Sequence, residues 1–483
     1  MQLFVYNYTL TIIISMGIAN FTKWIKLTYP NAISPLYKQT FDNVYIDINY
    51  LLHCVITKST SEGEILYNLC SYIESLLKYN VPTHLLVLGA DGIAPLAKIL
   101  LQKKRRLEYL RSQNGIIPEI NPLLFSPGTH FMTMLDINLK SFIAKISAKY
   151  NVTVLTLFDG MGEAEMKLVG QIIKFPTKSH CIISTDADVI VICMSIRINN
   201  VFISNSTCRI SIDNLIEQHS NIIYNKYPNI KSTMNLDFCF VSLLLGNDYL
   251  QKLGFISSPS VLWSAYRHSF DSCNINSCDN FLVKKSFNDT FYISESFMKV
   301  FMRNIVSRVK KQFRNKFSFA DYDVNVYKNY VFGLLWCLNM YSFGFCDKFN
   351  YMSLGSSIHP IGLMYYFDSL AYETSVKNML CDLNTDNNYG INNDIYATII
   401  MPKACSSMIR YSYAFVPFPE LSKLYESELC NDCAVNHSHY HEHDNVTMHD
   451  VIDIIKKFKQ NQGILLKYKT PPIIIERKPV YLF

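Results

Sequence analysis

The sequence is poor in charged residues and lacks the segments that direct a chain into or across a membrane. Only 17% of the 483 residues are Asp, Glu, Lys or Arg and 49% are apolar, which excludes a disordered chain and indicates a large globular core. The net charge of +6 permits a nucleic-acid partner without arguing for one.

No run of about 20 apolar residues is present, so we expect no transmembrane helix and no membrane partner. Residues 1–15 are apolar but contain no Lys or Arg, so they lack the basic start of a secretory signal. The 14 cysteines are scattered along the chain. We interpret them as reduced thiols of a cytoplasmic or nuclear protein that is not secreted.

Short apolar runs alternate with helical patterns in the first half of the chain. We predict helices at 63–78 and 95–108, and strands at Val44–Ile48, Leu85–Leu88, Val152–Leu157 and Cys181–Ser184. This order predicts an α/β fold with a mainly parallel central sheet and helices on both faces. Residues 255–285 break the pattern and predict a loop, and from about 296 a mostly helical region follows that we expect to pack on the sheet.

Acidic residues follow several of these apolar runs. They are Asp47, Asp91, Glu163, Glu165, Asp186, Asp188 and Asp248. Ligands of open parallel sheets bind beyond the carboxyl ends of the strands, so we expect these acids to converge on one crevice. Clustered carboxylates need a neutralising cation, and two Mg²⁺ or Mn²⁺ ions are the expected choice for phosphoryl chemistry. For any one acid alone, a helix cap or surface turn is the simpler interpretation.

A basic face occurs on the helix that follows Asp91. It consists of Lys98, Gln102, Arg105 and Arg106, which recur at helical spacing. Such a face suits a terminal phosphate, whose three oxygens need several donors. The alternative is a solvated basic helix that binds nothing.

Together these segments resemble the XRN family of 5′-3′ exoribonucleases, within the wider superfamily of flap-endonuclease-like nucleases. The segments that carry the resemblance are "MGIANFTKWIKLTYP", "FDNVYIDINYLLH", "ADGIAPLAKILLQKKRR", "FSPGTHFM", "GEAEMK", "STDADVIVI" and "LLLGNDYL", in that order. The resemblance starts at Met16 and, with a second block opening at "YVFGLLWCLNMYSFGFC", reaches about Glu420.

The resemblance implies a PIN/FEN-like nuclease core and a role for each position. The seven acids would bind two metal ions, and the basic face would form a pocket for a 5′ monophosphate. His53 would stack on the first base, and the Asn49 amide would help to orient the phosphate. The implied activity is metal-dependent hydrolysis of single-stranded RNA with a 5′ monophosphate, releasing nucleoside 5′-monophosphates one at a time.

The chain departs from the family pattern at three places. The family's Gly-Asn-Asp is followed by Phe-Leu-Pro, whereas this chain has "GNDYLQKLG". The tryptophan that pairs with the stacking histidine is missing, and Phe349 or Tyr351 would take its place. Leu96 replaces a basic residue of the pocket. Because family members start at Met-Gly, we also expect Met16 to be the true initiator.

We predict five segments in the chain. They are a dispensable extension at 1–15, the nuclease core at 16–255, a variable connector at 256–295, a second helical region that completes the active site at 296–425, and a Cys/His-rich segment with a basic tail at 426–483. In the last segment, Cys430, Cys433, His437 and His439 could ligate one structural Zn²⁺, and a solvated His-rich loop is the alternative.

Two other functions stay open. One is a flap-type 5′ DNA nuclease, although "LQKLGFISSPSVLW" lacks the glycine pattern of a duplex clamp. The other is a catalytically weak RNA-binding scaffold, which the presence of all seven acids disfavours. The short length leaves a viral origin open, and the sequence does not reveal which proteins, if any, bind the chain.

Overall fold

A computed structural model gives the structure of the chain. It describes residues 18, 20–113, 116–224, 234–256, 258–273, 281–285, 291–353, 358–369, 392–410, 421, 424–425 and 448–460. The helices, numbered in chain order, are α1 Phe21–Thr28, α2 Ile48–Val55, α3 Glu62–Leu77, α4 Leu96–Ser112, α5 His130–Tyr150, α6 Ala164–Ile172, α7 Asp188–Ser195, α8 Ile212–Ile223, α9 Met234–Leu243, α10 Pro259–Cys273, α11 Glu295–Arg308, α12 Lys311–Arg314, α13 Val324–Phe343, α14 Pro360–Ser369, α15 Asn393–Ile400 and α16 Met448–Gln460. The strands are β1 Ile33–Pro35, β2 Gln39–Asp47, β3 Asn80–Gly89, β4 Thr153–Leu157, β5 His180–Ile183, β6 Val201–Ser204, β7 Cys208–Ser211, β8 Val283–Lys285 and β9 Phe291–Ile293.

The chain divides into two compact units, each built from two separate stretches of sequence. The first unit comprises Met1–Leu36 and Val169–Thr385, and the second unit comprises Tyr37–Leu168 and Asp386–Phe483. The segment boundaries expected from the sequence stay predictions.

In the second unit, β2, β3 and β4 are neighbouring parallel strands. The register pairs Asp47 of β2 with Gly89 of β3, and Gly89 with Leu157 of β4. The carboxyl ends of the three strands are therefore level with one another. Asp47 ends β2 at this edge, and the loop that follows β3 carries Asp91 from the same edge.

In the first unit, β5 and β6 are parallel, whereas β7 pairs antiparallel with both β6 and β1. All four residues of β5, "HCII", are buried, as is usual for a strand of a parallel sheet covered on both faces. Of the five strand pairs described above, three are parallel and two are antiparallel, and the strands alternate with helices. The predicted α/β class is confirmed.

The mostly helical region predicted from about 296 is also confirmed, and within the first unit it contains α11 to α14. Helix α13 begins at the capping side chain of Asp323 and ends at Gly344, whose φ of 68° is the left-handed conformation common after a helix. Its sequence "VFGLLWCLNMYS" is apolar on nearly all sides, and most of the helix is buried, as expected for a core helix.

The expectation of a loop over residues 255–285 is wrong, because α10 occupies Pro259–Cys273. Proline is favoured in the first turn of a helix, so the Pro of "SSPS" starts this helix where a turn was expected. Leu262, Tyr266 and Phe270 follow at intervals of four and are all buried. Turn-like residues at both ends obscured this apolar face.

Each of the four predicted strands overlaps an observed one, but β2 and β3 each begin five residues earlier than predicted. Strand β2 stops at Asp47 instead of Ile48, because the Asp47 side chain caps α2. Within the part of the chain that the structure describes, no helix has both the length and the apolar character needed to cross a bilayer.

Candidate active site

Asp47 lies where β2 changes directly into α2. Its side chain accepts a hydrogen bond from the Tyr50 N–H at 3.1 Å, and only 9% of the residue is exposed. The cap fixes the carboxylate at the carboxyl end of the strand. A role of Asp47 as the cap of α2 is therefore compatible with the predicted role as a metal ligand.

Asp91 is held in the loop after β3 by two partners. Its N–H donates to Asn49 Oδ1 at 2.8 Å, and its own Oδ1 accepts from the Ala164 N–H at 3.0 Å. Asn49 is buried, and its Nδ2 donates to the Phe125 carbonyl at 3.2 Å. Because both polar groups of the Asn49 amide contact protein, we infer that Asn49 positions Asp91. Its expected contact with the substrate phosphate stays a prediction.

Two glycines join the Asp91 loop to the loop that carries Glu163. Gly92 N–H donates to the Gly162 carbonyl at 3.0 Å, and Gly162 N–H donates to the Ile93 carbonyl at 2.8 Å. A Cβ on Gly92 would lie 1.9 Å from the Gly160 carbonyl oxygen, so only glycine fits there. Acids that are more than 70 positions apart in sequence are thereby attached to one backbone junction.

Lys98 of the predicted phosphate pocket forms an ion pair with Glu163, one of the predicted metal-binding acids. The two side chains are only 7% and 3% exposed. A buried carboxylate needs such a partner, because desolvation is costly for an unpaired charge. The pair links α4 to the start of α6 and thus joins the pocket residues to the acids of the second unit.

Arg106 and Gln102 of the basic face contact each other one turn apart on α4. Arg106 Nη1 donates to the Gln102 carbonyl at 2.8 Å and also to its Oε1, and Nε donates to Ser126 Oγ at 2.9 Å. Burial lowers the pKa of the Arg106 guanidinium. Arg105 lies beside them and is half-buried. The planar guanidinium is therefore oriented before any ligand arrives, which favours phosphate recognition.

His53 lies on α2 with its ring edge-on to Phe125, the ring centroids being 5.4 Å apart at an interplanar angle of 84°. Its pKa is lowered to about 4, chiefly by burial, which the nearby Asp91 opposes and Arg106 reinforces. The imidazole is therefore neutral near pH 7. A neutral, half-buried ring is suited to stacking on a base and not to pairing with a phosphate.

This shift predicts that His53 contributes no titration to the activity near neutral pH. The variant His53→Phe is expected to keep the wild-type rate profile between about pH 5.5 and 8, whereas His53→Ala loses the stacking worth about 1–3 kcal/mol. Because the unfolded ring takes up a proton first, the free energy of unfolding should fall as the pH drops from about 6.5 to about 4. Initial rates on 5′-phosphorylated RNA measure the activity, and urea unfolding over the same pH range measures the free energy of unfolding. An inflection near pH 6.5 that disappears in His53→Phe would contradict the assignment.

Sequence reasoning missed two lysines of this region. Lys103 is 2% exposed, and its Nζ lies 5.2 Å from the centre of the Tyr425 ring. Lys167 Nζ donates to the carbonyls of Ala90 and Asp159, both at 3.0 Å, and burial lowers its pKa. For Lys103 a signal existed, because it lies four residues from both Ile99 and Leu107 on the buried side of α4.

The first unit contains the other three predicted acids, and two of them follow β5. The Asp188 N–H donates to Asp186 Oδ1 at 3.0 Å, and the Asp186 N–H donates to Ser184 Oγ at 3.3 Å. Asp188 starts α7, is 4% exposed and accepts at Oδ1 from the Ile18 N–H at 3.2 Å. The beginning of the region that resembles the XRN family thus contacts one of its acids.

Tyr341 of α13 connects Asp188 with the loop that carries Asp248. Its hydroxyl donates to Asp188 Oδ2 at 3.4 Å and accepts from Asn247 Nδ2 at 3.0 Å. Asn247 Oδ1 in turn accepts from the N–H groups of Tyr249 and Leu250 at 3.0 and 2.9 Å. This turn fixes the backbone on both sides of Asp248. The sequence analysis did not identify Tyr341.

The Phe-to-Tyr departure after Asp248 is accommodated. Tyr249 is buried and lies edge-on to Trp336, with ring centroids 5.6 Å apart. Of the two proposed substitutes for the missing tryptophan, Tyr351 packs on Trp336 at 4.6 Å and is 5% exposed, and Phe349 is 8% exposed. A stacking role for Phe349 stays a prediction.

The donor chemistry of the seven acids fits a hard divalent cation, because all offer carboxylate oxygens and several are almost fully buried. Among the described residues, however, no group of three or more Asp, Glu, His or Cys is arranged to hold a metal ion. The proposed zinc ligands Cys430, Cys433, His437 and His439 lie outside the described residues, as do residues 1–15 and Met16.

Residues 16–206 match the family model described as XRN 5′-3′ exonuclease N-terminus. The resemblance to the XRN family is confirmed over this region. The matched XRN region includes the whole basic face and every predicted metal-binding acid except Asp248.

The curated relatives that match this chain are named 5′-3′ exoribonucleases. The 5′-3′ exoribonuclease 1 of Saccharomyces cerevisiae is 29% identical over 298 residues, which cover 49% of this chain and 19% of that protein. The human 5′-3′ exoribonuclease 1 is 27% identical over 37% of this chain and 12% of its own length. The 5′-3′ exoribonuclease 2 of Gallus gallus is 24% identical over 37% of this chain and 25% of its own length. The similarity thus spans a quarter or less of each of these relatives.

Among solved structures, the catalytic core of Rad2 in complex with DNA substrate aligns with 61% of this chain and 87% of its own length. The TM-score is 0.31 and the identity 12%. A likeness of this degree supports no inference about this chain.

Proposed function

We propose that this chain is a divalent-metal-dependent 5′-3′ exoribonuclease that degrades single-stranded RNA from a 5′ monophosphate and releases nucleoside 5′-monophosphates. The observation that carries the proposal is the ion pair of Lys98 and Glu163 within the matched XRN region. It joins a cation of the basic face to an acid of the expected metal set, as a site that grips a phosphate beside a metal requires.

In this proposal the seven acids provide carboxylate ligands for Mg²⁺ or Mn²⁺. The ions would supply an activated water and neutralise charge on the scissile phosphate. Asn49 and the glycine junction at Gly92 fix Asp91, and Tyr341 fixes Asp188 and the Asn247 turn. These contacts within the protein support the positions of the acids.

Recognition of the RNA end is assigned to α4 and α2. The oriented guanidinium of Arg106, together with Arg105, Gln102 and Lys98, would bind a terminal phosphate that carries no further group. The neutral ring of His53 would stack on the first base. A closed pocket of this kind excludes a cap or triphosphate and allows one nucleotide to leave per cycle. The expected compartment, cytoplasm or nucleus, stays a prediction.

The proposal predicts strong discrimination at the 5′ end of the RNA. Matched RNAs that differ only in a 5′ monophosphate, triphosphate or hydroxyl should be degraded with rates that favour the monophosphate by at least about tenfold. The variant Arg106→Ala should remove most of this preference, whereas Lys104→Ala, on the same helix but exposed, should keep it. Release of labelled nucleotide measures the rates.

The same assay separates the two alternatives. Faster cleavage of a 5′ DNA flap than of monophosphate RNA would identify a structure-specific DNA nuclease. RNA binding without hydrolysis in Mg²⁺ or Mn²⁺ would identify an RNA-binding scaffold. Equal rates on monophosphate and triphosphate RNA would refute the phosphate pocket.

A further inference from the structure

The first unit contains a cavity of about 550 Å³ that belongs to none of the sites described above. It lies between α1, the end of α8, α10 and the end of α11. Its size is in the range of small-molecule sites. Its lining combines aromatic rings with cations. The residues that define its chemistry are Trp24, Tyr29, Trp263, Arg267, Asp271 and Arg308.

One wall of the cavity is aromatic. The rings of Trp24 and Trp263 are parallel to within 3°, with centroids 6.5 Å apart, and Tyr29 lies edge-on to Trp24 at 5.4 Å. Trp24 is half-buried, so part of its indole faces the open space. The exposed part of the Trp24 indole, with the parallel Trp263 ring packed beside it, offers a surface on which a further planar ring can stack.

The wall also contains an unsatisfied donor. Trp263 is 5% exposed, and its Nε1–H has no hydrogen-bond partner among the residues that the structure describes. An indole N–H can only donate, and a buried donor without an acceptor costs about 1–3 kcal/mol. The Nε1 atom is itself shielded from solvent, so the aromatic and cationic groups that a ligand can reach are Trp24, Arg267 and Arg308.

The rest of the lining contains two arginines among hydroxyl and aliphatic side chains. Arg267 and Arg308 are half-buried, His268 is a third basic group, and Asp271 is the one acid among the lining residues. Arg308 Nη1 donates to the Asn304 carbonyl at 2.8 Å, which directs its guanidinium along the end of α11. Two arginines beside an aromatic wall are suited to a ligand that is both planar and anionic.

We propose that this cavity binds a nucleotide, with the base on the exposed part of the Trp24 indole and the phosphate on Arg267 and Arg308. The ligand can be a free nucleoside monophosphate or one unit of an RNA strand. The site lies entirely within the first unit and does not depend on the function proposed for α4.

The test measures binding of AMP, adenosine and a 5′-hydroxyl oligo(A) to the full chain in EDTA, by calorimetry and tryptophan fluorescence. AMP or the oligomer should bind saturably, and Arg267→Gln and Arg308→Gln should each weaken binding by about tenfold, as expected for a lost charged contact. Lys311→Gln, an exposed cation outside the cavity, is the matched control and should bind normally. Arg106→Ala weakens the phosphate pocket proposed for α4, so saturable AMP binding that persists in this variant belongs to the cavity.

The results with the three ligands identify the source of the ligand and show whether the proposal fails. Binding of AMP identifies a free nucleotide, and binding of the oligomer alone identifies an RNA strand. Adenosine binding as tightly as AMP would overturn the phosphate assignment. Loss of binding in Arg106→Ala with retention in Arg267→Gln and Arg308→Gln, or no binding of any ligand at millimolar concentration, would overturn the site.

Discussion

Replacing Asp186 by asparagine is expected to lower RNA hydrolysis by more than about 100-fold while leaving RNA binding and folding unchanged. Even residues that only support a metal ligand contribute about 10- to 100-fold, so loss of a ligand charge should cost more. The asparagine Oδ1 can still accept the Asp188 N–H, which now lies 3.0 Å from Asp186 Oδ1. The local backbone should therefore persist.

The matched control is Asp136→Asn, the same chemical change on an exposed position of α5. Nucleotide release in Mg²⁺ and in Mn²⁺ measures activity, RNA affinity is measured in EDTA, and thermal melting checks the fold. Hydrolysis by Asp186→Asn within about tenfold of wild type, with normal melting, would exclude Asp186 from the metal set.

The second large effect concerns stability and does not depend on any activity. Lys98→Met is expected to lower the free energy of unfolding by about 3–5 kcal/mol, because it leaves the Glu163 carboxylate buried without its cation. Urea unfolding at pH 7 measures the change. Lys104→Met is the control on the same helix, since its partner Glu108 is 3.9 Å away and both are exposed, and it should cost less than about 1 kcal/mol.

The double variant Lys98→Met, Glu163→Gln distinguishes charge burial from lost packing. Removing both charges should restore part of the stability lost in Lys98→Met, because the desolvated carboxylate is gone. If the double variant is less stable than Lys98→Met, or if Lys98→Met is as mild as Lys104→Met, the ion pair is not the source of the effect.

The sequence predicts the positions of the strands and of most candidate residues because those signals are local. Each predicted strand is a short apolar run, and Asp47 and Asp186 stand within a few residues of a strand end. The basic face is equally local, because its four members recur on one helix. The α/β class follows from the alternation of such elements.

Contacts between distant segments could not be predicted in this way. The Lys98–Glu163 pair joins residues 65 positions apart, and Tyr341 reaches Asp188 across 153 positions. From the sequence, Asn49 is expected to orient the substrate phosphate. Its contacts with Asp91 and Phe125 depend on the tertiary fold, so the sequence could not predict them. Helix α10 was missed because serine and proline at its start are equally typical of a turn.

The contact between Tyr341 and Asp188, together with the packing of α15 against α4 inside the second unit, bears on how this protein can be dissected. A gene truncated at residue 206, the last position of the matched XRN region, would encode the basic face and most of the acids. It would lack Tyr341, which hydrogen-bonds to Asp188, and α15, which packs against α4. The amino-terminal portion is therefore not an autonomous module, and each unit is completed only when the last third of the polypeptide has been made.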